Sequence, residues 1–306
     1  MSDADALVEV LERTLPAPVR IRARRPSPYA SSFPLVELDV EAGDATRLTV
    51  VWKDLSPGAL LPGARLARGN GAPSDPSREL RAYELLEGSE LGTPRRIAAV
   101  DEPGRTWLFL EAVHGARLEH VGDQGAWEAV ARWLARAHGV LTARTAAPAD
   151  AAAWPPAWIP PDTDALATRV PHLAAPLAAA RAWTDAAPLA TIHGELYAAN
   201  VLIGDDGRVC ALDWETIARG PALLDLAALT AGRWDEPGEP LAEAYRQALP
   251  DTPPPPRERF LAELDNARLL TAARWLTAPA GWSPPPEQKR DWLADAELVT
   301  GRIAAR

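Results

Sequence analysis

The chain has 306 residues, 47% of them hydrophobic, and a formal net charge of −10. That length holds two modest domains or one two-lobed unit, and the apolar content is ample for a core. The acidic balance argues against a nucleic-acid partner and tolerates or attracts a cationic substrate, while no apolar run reaches the roughly 18 residues that a membrane-spanning helix needs.

The segment Met1-Ser-Asp-Ala-Asp-Ala-Leu7 is acidic and lacks the basic-then-apolar form of a signal peptide, so a cytoplasmic location is expected. Cys210 is the only cysteine, which excludes an internal disulfide and any multi-cysteine metal site. It lies in an apolar run and reads as an inert small hydrophobe. Of 32 basic residues only Lys53 and Lys289 are lysines. Against that background, a lysine inside an apolar strand carries information.

In chain order, Leu7, Val8, Leu11 and Leu15 predict a short amphipathic helix over 3–15, with Ser2 or Asp3 as its cap. Strands are expected at Arg20–Arg25, Val36–Val40 and Leu48–Lys53, then a Gly- and Pro-rich loop over Gly58–Pro73. Asp75-Pro76 signals a helix start, with Leu80, Tyr83 and Leu86 facing inward to about Gly88. Ile97–Val100 and Thr106–Glu111 read as two more strands. After Val113 the periodicity turns helical: Trp127–Leu141, Leu166–Ala187, Pro221–Arg233, Pro240–Ala248, Arg257–Leu276 and Pro286–Ala305. Residues 145–163 read as irregular, and Pro253–Pro256 as an extended spacer. The strand-rich part, 1–111, would form one lobe and the helix-rich part, 112–306, the other.

The most informative stretch is Thr191-Ile-His-Gly-Glu-Leu-Tyr-Ala-Ala-Asn200, followed by Val209-Cys-Ala-Leu-Asp-Trp-Glu215. Asp205-Asp-Gly207 is a hairpin signal between the apolar runs Val201–Ile203 and Val209–Leu212. Asn200 and Asp213 lie almost symmetrically about that turn, so they should face each other about 5 Å apart. An amide oxygen and a carboxylate at that distance can share a hard cation such as Mg2+. Glu195 sits in the loop that leads into the first strand, within reach of a substrate hydroxyl. Metal ligands plus a base suit phosphoryl transfer, which is mostly positioning and charge neutralisation. Neither a Walker A nor a Gly-x-Gly-x-x-Gly sequence is present, which argues against P-loop and Rossmann folds.

This constellation resembles the aminoglycoside phosphotransferase and choline kinase-like branch of the protein-kinase-like fold. His193-Gly194-Glu195 and Asn200 fill that family's catalytic-loop pattern, and Asp213-Trp214-Glu215 its metal-binding segment. One residue departs: the family's catalytic Asp is here Glu195. The resemblance implies an α+β, bilobal protein-kinase-like fold, with a small antiparallel-sheet N-lobe holding one central helix and a larger, mostly helical C-lobe. It further implies that Asn200 and Asp213 hold Mg2+ and that Glu195 accepts the proton of the acceptor hydroxyl. Lys53 would pair the nucleotide's α- and β-phosphates, supported by Glu79, with Glu84 as the fallback partner. Tyr29–Phe33, with Ser31 and Ser32, would cover the phosphates. The nucleotide would lie between the lobes near the connection Leu110–Val113, with Glu111 and Val113 beside it. His193 would order the loop, and Asp225 would brace it through backbone hydrogen bonds.

The expected activity is an ATP- or GTP-dependent O-phosphotransferase acting on a small-molecule hydroxyl, with the acceptor over 145–185 and 230–290. Trp154, Trp158, Trp234 and Trp282 could line its pocket, and Asp235, Glu236 and Glu239 could attract a cationic metabolite or antibiotic. No nucleic acid or membrane is expected as partner, and the chain should be a monomer or weak homodimer. Two further readings stay open. One, raised by Glu195, is a non-catalytic nucleotide-binding protein with a degraded site; the other, which the resemblance also allows, is a kinase of a peptide hydroxyl in a biosynthetic pathway. Glu is one methylene longer than Asp, and a misplacement of about 1 Å can cost roughly 100-fold in rate.

Overall fold

The structure, a computed structural model, describes residues 3–27, 32–43, 46–68, 75–146, 154–234, 238–250, 253–279 and 289–306. The chain divides into two units, Met1–His114 and Gly115–Arg306.

In the first unit, helix α1 (Asp3–Glu12) precedes three strands, β1 (Val19–Pro26), β2 (Leu35–Ala42) and β3 (Thr46–Asp54). Their β-branched and apolar residues fit a half-buried pleated surface. Helices α2 (Pro62–Arg68) and α3 (Ser77–Leu86) come next, then β4 (Arg96–Glu102) and β5 (Arg105–Glu111). The five strands form one sheet in the order β1-β2-β3-β5-β4, every neighbour antiparallel. Its core combines Leu7 and Leu11 of α1 with Leu38, Val40, Val50, Trp107 and Phe109. Asp75 Oδ1 accepts the Ser77 N–H at 3.1 Å, so the expected helix start falls within two residues of Asp75.

The loop expected over 58–73 is partly helical. A single 3-10 turn, Pro57–Ala59, leads into α2. Pro62 at its first position has the φ a helix wants and lacks an N–H that would be unsatisfied there anyway. The Ala and Arg residues that follow are good helix formers, which the glycine and proline count obscured.

The second unit opens with β6 (Gly115–Arg117) and the 22-residue helix α4 (Gln124–Thr145), capped by Asp123, whose side chain accepts from Gly125 N and Ala126 N. Next come α5 (Thr163–Arg169), α6 (Ala174–Ala186), β7 (Leu189–Ile192), β8 (Val201–Gly204), β9 (Val209–Ala211), β10 (Ala218–Pro221), and helices α7 (Leu223–Leu229), α8 (Glu239–Gln247), α9 (Arg257–Leu276) and α10 (Trp292–Ala305). The strands form two small antiparallel sheets, β6-β8-β9 and β10-β7. Among the described residues no helix is long and apolar enough to cross a membrane.

Two expected helices are shorter than their periodicity suggested. Leu166–Ala187 is broken into α5 and α6 because Pro171 pushes Val170 out of helical geometry (φ −130°, ψ 75°) and starts a 3-10 turn. Pro221, read as the first residue of a helix, instead ends β10 opposite Leu189, and the helix starts at Leu223 and stops at Leu229. Residues 286–288, the expected start of the last helix, lie outside the described residues, as do Ser2, Ser31 and Trp282.

Candidate active site

Residues 193–200 link β7 to β8 and are held by Asp225 of α7. Asp225, 1% exposed, accepts the backbone N–H of His193 at 2.6 Å and that of Gly194 at 2.8 Å. These are charge-assisted hydrogen bonds, roughly twice as strong as neutral ones. His138 of α4 reaches the same carboxylate, Nε2 to Oδ2 at 3.1 Å, and its Nδ1 lies 2.8 Å from the Tyr245 hydroxyl. With a carboxylate as acceptor, His138 Nε2 donates, and Nδ1 accepts from Tyr245. Burial pushes the Tyr245 phenol up, aided by the charge of Asp225, so it keeps the proton it donates. The brace by Asp225 was expected; the His138–Tyr245 relay behind it was not.

Gly194 has φ +89°, and a Cβ there would stand 2.4 Å from the Thr216 carbonyl oxygen, so only glycine fits. Thr216 Oγ1 donates to the His193 carbonyl at 2.9 Å. His193 is 2% exposed. Its Nε2 donates to Leu212 O at 2.8 Å and its Nδ1 accepts the Glu195 N–H at 3.4 Å. Burial, the largest influence, pushes its pKa down against the opposing pull of Asp225 and the Leu212 carbonyl. A neutral imidazole with one donor and one acceptor is what those two bonds require.

Asn200 donates its Nδ2 to the Glu195 carbonyl at 2.9 Å, closing the loop on itself. Its other amide atom is an oxygen, the kind of atom that ligates a hard cation. The hairpin β8–β9 forms around Asp205-Asp206-Gly207, where Gly207 takes φ +80°. Its register corrects the expected pairing. Val201 faces Ala211, so Asn200 meets Leu212, whose N–H donates to the Asn200 carbonyl at 2.8 Å, and Asp213 lies one residue further on. Asp213 itself turns away from the ladder in the left-handed region, φ 62° and ψ 61°, which non-glycine residues seldom occupy. A carboxylate oxygen of Asp213 and one of Glu215 lie within 4.8 Å of each other. Glu215, to which the sequence pattern assigns no separate role, is brought back beside Asp213 by the 3-10 turn Trp214–Thr216.

In the first unit, Lys53 of β3 and Glu79 of α3 meet at 2.7 Å, both almost wholly buried. Glu84, the fallback, instead pairs with Arg96 at the surface. Ser32 accepts the Leu61 N–H on its carbonyl at 3.0 Å. Glu111 ends β5: its N–H donates to Arg95 O at 2.9 Å and its Oε2 accepts the Arg95 N–H at 3.1 Å. The Ala112 N–H goes to Thr49 O, and Val113 lies past the end of the strand.

Glu195 has a partner that the sequence did not disclose. The Arg274 guanidinium, from the last turn of α9, donates to Glu195 Oε1. The next residue, Trp275, donates its indole N–H to the Tyr197 hydroxyl at 2.6 Å. Trp275 stacks on Trp292, which meets the buried Trp234. Trp158 packs against Gly220. Asp235 and Glu236 lie outside the described residues, and Glu239 pairs with Arg257.

The family model of the phosphotransferase enzyme family, APH, matches residues 64–264, more than half of the chain. The chain belongs to that family. It is a phosphotransferase, and its mixed architecture is the protein-kinase-like fold. Similar solved structures include a choline kinase from Cryptosporidium parvum (11% identity, 99% of this chain and 95% of that one, TM-score 0.59). LicA in complex with AMP is another (13%, 100% and 99%, TM-score 0.57). A third is an aminoglycoside phosphotransferase from Alicyclobacillus acidocaldarius (16%, 93% and 90%, TM-score 0.51). At these identities the likeness speaks to the fold alone. No curated protein matches the sequence.

Proposed function

We propose that this phosphotransferase moves the γ-phosphate of ATP to the hydroxyl of a small organic acceptor, with Mg2+ as the required ion. The observation that carries the reading is the bracing of the loop 193–200. Asp225 fixes its start, Asn200 Nδ2 fixes Glu195, and His193 is locked beneath. A degraded site would have no need to hold a carboxylate-bearing loop at so many points.

Lys53, steadied by Glu79, would contact the α- and β-phosphates. The donor set formed by the Asn200 amide oxygen and the carboxylates of Asp213 and Glu215 is all hard oxygen and suits Mg2+. The ion, when bound, supplies neutralisation of phosphate charge. Ser32, together with Ser31, would contact a phosphate, and Glu111 and Val113 would neighbour the nucleotide base. Glu195 would orient the acceptor hydroxyl and take its proton as the O–P bond forms. The AMP bound to LicA supports an adenine nucleotide, and the choline kinase and aminoglycoside phosphotransferase support a small acceptor.

The test is a calorimetric titration of the full chain with Mg-ATP, repeated with EDTA and with Mg-GTP. Magnesium-dependent binding of ATP supports the reading; silence of both nucleotides sinks it. The rival reading, a nucleotide-binding protein without turnover, draws on the Arg274–Glu195 pair, which occupies the base with an internal cation.

A further inference from the structure

Glu195 and Arg274 stand 79 residues apart and meet as an ion pair with 33% and 37% of their side chains exposed. The contact is not isolated. Trp275 grips Tyr197, and the Tyr197 N–H donates to the Glu195 carbonyl at 2.8 Å. Two successive residues of α9 therefore hold two residues of the loop. One contact fixes the carboxylate, and the other fixes the ring beside it.

Glu carries one more rotatable bond than Asp, so its carboxylate wanders further unless something holds it. A planar guanidinium donating to one carboxylate oxygen restrains it directionally, which a point-charge ammonium does less well. A carboxylate offers about four lone-pair sites. The Arg274 contact on Oε1 takes only part of that capacity. The partial exposure of both groups keeps the carboxylate within reach of an acceptor.

We propose that Arg274 is a positioning residue that holds the Glu195 carboxylate where the acceptor oxygen docks, offsetting the methylene that Glu adds over Asp. The inference rests on Glu195 being the base. In the step it serves, the acceptor O–H bond breaks and its proton goes to Glu195. The acceptor oxygen bonds to the γ-phosphorus, and the bond from that phosphorus to the bridging oxygen breaks, releasing ADP.

The test measures phosphate release from Mg-ATP with water as the acceptor, alongside Mg-ATP affinity and thermal unfolding. It compares the full wild-type chain with Arg274→Gln, Arg274→Lys, Glu195→Asp and the double variant Glu195→Asp/Arg274→Gln. Arg274→Gln should lower kcat by about 10- to 100-fold with KM and Kd for Mg-ATP unchanged, and Arg274→Lys should recover part of the loss. Glu195→Asp withdraws the carboxylate from Arg274. Adding Arg274→Gln to it should therefore cost nothing more.

Unchanged or faster turnover in Arg274→Gln, the result expected if the guanidinium merely quenches the base, overturns the inference. So do penalties that multiply in the double variant. A wild-type chain that neither binds nor hydrolyses Mg-ATP overturns the phosphotransfer reading of Glu195, and this inference with it. Binding and hydrolysis with an indifferent Arg274 overturn the inference alone.

Discussion

Lys53 Nζ lies 2.7 Å from Glu79 Oε2, and the two side chains are 3% and 2% exposed. Neither charge is buried alone, since each is the other's compensation. Removing one partner from such a pair typically costs about 3–5 kcal/mol, because the survivor stays desolvated, whereas replacing both by apolar groups is often neutral. This allows structure and function to be separated. Lys53→Met should lower the urea-unfolding stability by about that amount, and Lys53→Met/Glu79→Leu should restore most of it. Mg-ATP affinity should be lost in both. A double variant that binds Mg-ATP like the wild type would remove Lys53 from the phosphate site.

Asp213 holds the left-handed conformation, φ 62° and ψ 61°, that Asn also tolerates and β-branched residues do not. Asp213→Asn should change unfolding stability by less than about 0.5 kcal/mol. It should still abolish the magnesium dependence of nucleotide binding, because the carboxylate charge is gone. Asp213→Val should cost about 1–2 kcal/mol through the backbone alone. If Asp213→Asn retained full magnesium-dependent turnover, the metal assignment would fall.

The site was legible where its members are close in sequence and their identities matter. His193, Glu195, Asn200 and Asp213 fall within 21 positions around one hairpin turn, and Asp225 follows twelve residues later. Lys53 stood out because lysine is so rare here. Arg274 was invisible for the converse reason. It is one of 30 arginines, lies 79 residues from its partner, and sits on a helix face that periodicity reads as ordinary. The strands β6 and β7, three and four residues long, are too short for a period-two signal. The one-residue error between Asn200 and Asp213 arose because position counting about a turn cannot foresee that Gly207 closes a three-residue loop and sets the register.

Gly194 is where the loop is most tightly constrained. An alanine would combine φ +89° with a Cβ 2.4 Å from the Thr216 carbonyl oxygen. The loop would have to move, pulling the His193 and Gly194 N–H groups off Asp225. Gly194→Ala should cost about 1–3 kcal/mol in stability and about 100-fold in kcat, since Glu195 is the next residue. A variant with wild-type turnover would show that the loop geometry does not govern the chemistry.

His193 supplies a pH dependence with a defined sign. Its ordinary pKa is 6.5, and burial lowers it in the folded chain despite Asp225. Below about pH 6.5 the unfolded chain therefore binds a proton at His193 that the folded chain refuses. The unfolded state then holds more protons, so stability rises with pH through this window and falls on acidification, by at most about 1.4 kcal/mol per pH unit. His193→Gln keeps a donor for Leu212 but cannot titrate. The advantage of the wild type over this variant should be fully present above pH 6.5 and shrink as pH drops toward the lowered folded value. The other four histidines are common to both proteins and cancel in the difference. Urea-unfolding curves of the two proteins between pH 5 and pH 8, the range across which histidines change charge, would read it directly. A difference that stays constant across that range would mean His193 is not held neutral beneath the loop.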